Sequence, residues 1–139
     1  VKQDPRVKTP GLIMQQVYTL TDATYYDAMA AGDAARAAQS LRDQIAKLMS
    51  ATGDAAKALA AFDKQLADAG LATAATGLSG AMNQLQSADV QPTDLQLKAI
   101  TNARTAGAAA MATWSTLKTT GLAGINAKLK AAGLSALTL

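Results

Sequence analysis

Apolar residues recur along this chain at intervals of three and four, the spacing that lines one face of an α-helix. Leu41, Ile45 and Leu48 form one stripe, which Ala38 and Ala34 extend backwards. Farther upstream the stronger stripe is Met14, Tyr18, Tyr25 and Met29. The two do not share a heptad register, and the change falls around Gly32. One long helix from Pro10 to about Ser50 is therefore expected, with a stutter or slight kink near Gly32. Thr9-Pro10 supplies its start, with Thr as N-cap and Pro in the first helical position.

Thr52-Gly53-Asp54 reads as a stop followed by a start, with Gly53 suited to a left-handed backbone and Asp54 to capping. Ala55, Leu59, Phe62, Leu66 and Ala69 then continue the helical spacing. Gly70 ends or bends this second helix, and 70–77 is open between a loop and a weak helical bridge. Leu78, Met82 and Leu85 resume the pattern to about Ala88. The clearest turn is 87–93, where Thr93 and Gln96 fit the T-x-x-Q capping box. The third arm carries Ile100, Gly107, Met111, Trp114 and Leu117, and the small residues around Gly107 invite close approach of a neighbour. Thr120-Gly121 interrupts it, Leu122, Ile125 and Leu129 follow, and Gly133 is a stop. Asp94–Lys98 and Asp43–Lys47 are spaced for i,i+4 ion pairs.

The predicted fold is all-α, an elongated antiparallel bundle of three long arms, or four to five helices counting the breaks. The arms cover 10–50, 54–88 and 93–132, with 1–9 as an extended lead-in from an upstream domain. Short connections make sequential arms antiparallel neighbours.

Composition supports this architecture and narrows the chemistry. Hydrophobic residues make up 50% but aromatics only 4%, Ala being the most frequent residue. Each buried Ala contributes little transfer free energy, so the core must come from close helix approach over long contacts. The chain contains no His, Cys or Glu. That leaves Asp, Lys, Tyr and hydroxyls for proton transfer or nucleophilic attack, and no motif arranges them for either. No catalytic residue, no metal site and no cofactor site is assigned, and no enzyme activity is expected of this chain. A net charge of +3 is too mild and mixed for a nucleic-acid partner. Lys, Arg, Asp or Gln interrupts every long apolar run, so no transmembrane segment is expected. The chain opens on Val1 and reads as a fragment or processed product.

Two features are candidates for contact with a partner. Tyr25-Tyr26 could mark a binding surface, although filling an Ala-rich core is the expected role for Tyr18, Tyr25, Tyr26 and Trp114. From Leu95 onward the chain carries Lys98, Arg104, Lys118, Lys128 and Lys130 and no acid. This is a solvated basic face, or a surface for an acidic partner. The candidate interaction residues are Tyr25, Tyr26, Lys118, Lys128 and Lys130.

Asp4-Pro5-Arg6-Val7-Lys8-Thr9 precedes the first helix, and Leu41-Arg42-Asp43-Gln44-Ile45 lies within it. Leu85-Gln86-Ser87-Ala88-Asp89 leads into Pro92-Thr93 at the turn. Trp114, Leu117, Leu122, Ile125-Asn126-Ala127, Leu129 and Gly133-Leu134 close the order. This order resembles the C-terminal helical tail of bacterial BNR/YVTN-type β-propeller proteins, sortilin-like and glycosyl-hydrolase-like. The resemblance implies an upstream propeller in the same polypeptide, with any hydrolase activity residing there. It also implies export to the periplasm or cell exterior. A non-catalytic accessory or interaction domain is then expected, with another protein or self-association as further partners. The alternative is a stand-alone ligand- or surface-binding bundle using the basic last arm. An interaction domain predicts an exposed apolar strip, near Leu134–Leu139 or the Tyr pair; a ligand binder predicts an enclosed pocket between arms.

Overall fold

A computed structural model describes residues 10–48, 50–86 and 91–139. Helix α1 spans Gly11–Lys47, α2 Gly53–Asp68, α3 Leu71–Gln86 and α4 Asp94–Thr116. A π-helical turn, Leu117–Gly121, joins α4 to α5, Leu122–Ala131. The described residues contain no strand, and the all-α bundle is the fold. The lead-in 1–9, with Thr9 as N-cap, and the first residues of the 87–93 turn lie outside the described residues.

The three arms run up, down and up. At one end Val17 and Leu20 of α1 pack on Ala81 and Leu85 of α3 and on Ile100 of α4. At the other, Ala34, Ala38 and Leu41 meet Leu59, Phe62 and Leu66 of α2, and Trp114, Ile125 and Leu129 of the third arm. Helix α1 is about 55 Å long at 1.5 Å per residue, and the rest of the bundle is laid along it.

The register change expected in α1 is absent. Its inward positions run Ile13, Val17, Leu20, Thr24, Ala28, Ala31, Ala34, Ala38, Leu41, Ile45 and Leu48, steps of three and four with no stutter. The stripe of Met14, Tyr18, Tyr25 and Met29 faces solvent instead, contrary to the expectation of core packing. The reason is spatial. Thr24 and Ala31 are fully buried, and a Tyr on this face would hold α3 and α4 away from α1. Small residues let three backbones close up, so burial follows fit rather than side-chain hydrophobicity. The buried Thr24 hydroxyl donates to the Leu20 carbonyl at 2.7 Å, which removes the cost of burying it.

Helix boundaries follow local chemistry, with some shifts. Pro10 lies just outside α1, in an extended conformation, and its carbonyl accepts from the N–H groups of Ile13 and Met14. Gly53 does take a positive φ of 62°, but it opens α2 rather than closing α1. Thr52, not Asp54, stands at the N-cap, and Asp54 lies in the first turn. The ambiguous stretch 70–77 is helical apart from Gly70, whose φ of 65° lets α2 end and α3 begin with only Ala69 and Gly70 between them. Gly133, φ 71°, closes α5 as a Schellman motif: Leu134 N–H donates to the Leu129 carbonyl and Gly133 N–H to Lys130.

The capping box at the start of α4 forms as expected. Gln96 N–H donates to Thr93 Oγ1 at 3.2 Å, and Thr93 N–H to Gln96 Oε1 at 2.8 Å. Thr93→Ala should cost about 1 kcal/mol, lowering the thermal midpoint by about 3–5 °C in a circular-dichroism melt. The ion pairs Asp94–Lys98 and Asp43–Lys47 do not form among the described residues; Asp43 accepts from Gln39 Nε2 at 2.8 Å instead. Exposed pairs gain little either way, and Lys64 does pair with Asp68 at the same spacing.

Thr120-Gly121 does not break the third arm but widens it. The N–H of Leu122 reaches back five residues to the Leu117 carbonyl. Thr119 and Thr120 hydroxyls donate to the carbonyls of Ser115 and Thr116 at the entrance to the wide turn. Leu117, Gly121, Ile125 and Leu129 are spaced by four, which drifts about 40° per step on a 3.6-residue helix. A π turn absorbs part of that drift and keeps Ile125 and Leu129 in the core.

Candidate interaction surface

Among the described residues the large apolar side chains left in solvent are Leu12, Met14, Tyr18, Tyr25, Tyr26, Met29, Leu95, Leu97 and Leu139. All but Leu139 belong to the first half of α1 or the first turn of α4, which lie at the same end of the bundle. Burying Thr24, Ala28 and Ala31 turns the bulky positions of α1 outward. Tyr18 is 72% exposed, Tyr26 63% and Tyr25 43%. The rings of Tyr25 and Tyr26 meet edge to face, centroids 5.5 Å apart at 73°. Such an edge-to-face pair is worth about 0.5–1.5 kcal/mol beyond the area it buries. Asp27, two residues from Tyr25 and so about 200° around α1, accepts from Arg104 Nε at 2.7 Å and ties α1 to α4.

The candidate lysines lie elsewhere. Lys118 sits in the π turn, fourteen positions beyond Arg104 and so about 21 Å farther along the rod. Lys128 borders a surface depression with Thr52, Asp54 and Lys57. Lys130, two residues on, projects about 200° away around α5. All three lysines are exposed. The structure thus brings Tyr25 and Tyr26 together, with Tyr18 and Met29 on the same face, and does not bring the lysines to them or to one another. Tyr18, Leu95 and Leu97 were not among the candidate residues. Their signal was relational: each lies off a stripe that only the packed arms define.

The depressions between arms are shallow and open to solvent. The one between α1 and α2, about 520 Å³, is lined by Ile45, Leu48 and Leu59 together with Arg42, Asp43 and Asp63. Arg42 grips Asp63 with two nitrogens, at 2.8 and 3.3 Å, which raises the guanidinium pKa further above its ordinary value. Asp43 takes the Gln39 amide. Both carboxylates there are occupied by partners from the protein itself.

The other expected apolar strip, Leu134–Leu139, is broken: Leu137 is 2% exposed and Leu134 packs against the main core, while Ala136 and Leu139 stay exposed. Among the described residues no three acids cluster as metal ligands, and no helix is long and apolar enough to cross a membrane. The chain matches no protein-family model, no curated protein and no solved structure.

Proposed function

We propose that this chain is a non-catalytic interaction domain whose docking surface is the aromatic face of the first half of α1. The observation that carries the reading is the segregation of exposed apolar residues. Tyr18, Tyr25, Tyr26, Met29, Leu95 and Leu97 share one end of the molecule. Tyr at a contact surface offers a large area for little loss of side-chain entropy. The resemblance described above supplies the partner: a β-propeller upstream in the same polypeptide, in an exported protein. Any hydrolytic chemistry then belongs to the propeller. The lysines Lys118, Lys128 and Lys130 point in different directions, which gives less support to a stand-alone bundle binding through a basic arm.

The reading predicts a separation between stability and binding. Tyr25→Ser with Tyr26→Ser should change the denaturation free energy by no more than about 0.5 kcal/mol, since neither ring is buried. The same pair of changes should weaken association with the separately expressed upstream segment by about tenfold or more in titration calorimetry. Unchanged affinity would place the contact elsewhere, and an upstream segment without propeller repeats would remove the proposed partner.

A further inference from the structure

Beyond Gly133 the chain leaves α5 and runs, without helical bonds, across the gap between α5 and α1. It is held there by two side-chain amides. Leu137 N–H donates to Asn126 Oδ1 at 2.8 Å, and Asn126 Nδ2 donates to the Leu137 carbonyl at 2.9 Å. The next residue repeats the arrangement on the other arm. Thr138 N–H donates to Gln44 Oε1 at 2.9 Å, and Gln44 Nε2 donates to the Thr138 carbonyl at 2.7 Å. Each amide offers one donor and one acceptor, the same pair that a neighbouring β-strand offers. Between them the two amides satisfy every backbone polar group of two consecutive residues. The Leu137 side chain enters the core cluster beside them, whereas Ser135, Ala136 and Leu139 stay exposed.

We propose that the cleft formed by Gln44, Asn126 and the Leu137 pocket is a binding site for an extended, uncharged peptide anchored by a single leucine. In this chain residues 134–139 fill it in cis. The backbone bonds read an extended conformation and not a sequence, and the pocket reads one apolar side chain. This division of labour is that of strand-addition recognition. Among the described residues no charged side chain hydrogen-bonds to the segment, so the fitting ligand is neutral where it touches. The inference does not depend on the role of the tyrosines.

The intact chain should not take up a competing peptide, because the tethered tail acts at an effective concentration on the order of millimolar. Leu137→Asp expels the anchor and leaves the cleft vacant in a full-length chain. A fluorescent peptide corresponding to residues 133–139 should bind this variant saturably in an anisotropy titration and fail to bind the parent chain. Adding Asn126→Ala should weaken it by about tenfold or more. Absence of saturable binding to a helical Leu137→Asp chain, or equal binding with Asn126→Ala added, overturns the proposal. Should Leu137→Asp unfold the chain, hydrogen exchange on the parent decides. The amides of Leu137 and Thr138 should be protected, and Gln44→Ala with Asn126→Ala should release them while α1 and α4 stay protected. Exchange of both amides at free-peptide rates in the parent contradicts the site.

Discussion

Trp114→Ala is expected to remove about 3–5 kcal/mol of folding stability. Trp114 is 5% exposed and belongs to the core cluster that joins Ala38 and Leu41 of α1 to Leu59, Phe62 and Leu66 of α2. In a core so rich in Ala, few side chains have volume to spare. The atoms around the missing indole cannot fill the space without moving two arms, so the cavity persists and its cost is retained. A domain of this size has only about 5–15 kcal/mol in total, so the loss is a large part of the whole. Because Trp114 is the single Trp, its own fluorescence cannot report on the variant. Urea denaturation followed by far-ultraviolet circular dichroism should show a lower midpoint with an unchanged slope. A midpoint equal to that of the parent would mean that Trp114 does not bridge the arms.

The second large effect comes from adding volume. A Cβ on Gly107 would stand 2.8 Å from Leu78 Cδ1 and 3.4 Å from its Cγ, and Leu78 is itself 1% exposed. At Gly107, therefore, α4 lies too close to Leu78 of α3 to take a side chain without displacement. Gly107→Val should cost about 3 kcal/mol, as overpacking that Leu78 cannot relieve outweighs the gain in helix propensity. Gly80, on α3, provides the internal contrast. A Cβ there meets nothing within 4 Å, so Gly80→Ala should stabilise by about 0.5–1 kcal/mol. Opposite signs at two helical glycines would separate close packing from propensity in one denaturation series.

The fold was legible in the sequence where the signal is local. The three arms, the capping box at Thr93 and Gln96, the left-handed Gly53, the helix ends at Gly70 and Gly133, and the close approach at Gly107 follow from residue types and spacing. Each depends on a few neighbouring residues and on backbone geometry that only some side chains permit. The face that α1 buries was not legible. Two stripes compete along its first half, one of Tyr and Met and one of Val, Leu, Thr and Ala. Hydrophobicity favours the first, but the contact selects the second because three helices close most tightly over small side chains. That reversal is also what exposes the aromatic surface. The candidate site was thus half visible: Tyr25 and Tyr26 were singled out as residues, but their exposure depends on how the arms pack. The π turn left a faint trace, the successive spacings of four from Leu117 to Leu129. The clasps from Gln44 and Asn126 to Leu137 and Thr138 left none, since a side-chain amide bonded to backbone 94 residues away, or 11 residues away across a helix end, carries no periodic signal.

The central claim is that the aromatic end of α1 is covered when this domain works. Oxidative footprinting of this chain alone and of an intact polypeptide carrying the proposed upstream propeller tests it most directly. Tyr18, Tyr25, Tyr26 and Met29 should be modified readily in the isolated chain and become protected in the intact polypeptide, while Met111, half-buried in the core, keeps the same rate in both. Equal modification of Tyr18, Tyr25, Tyr26 and Met29 in the two samples would contradict the account.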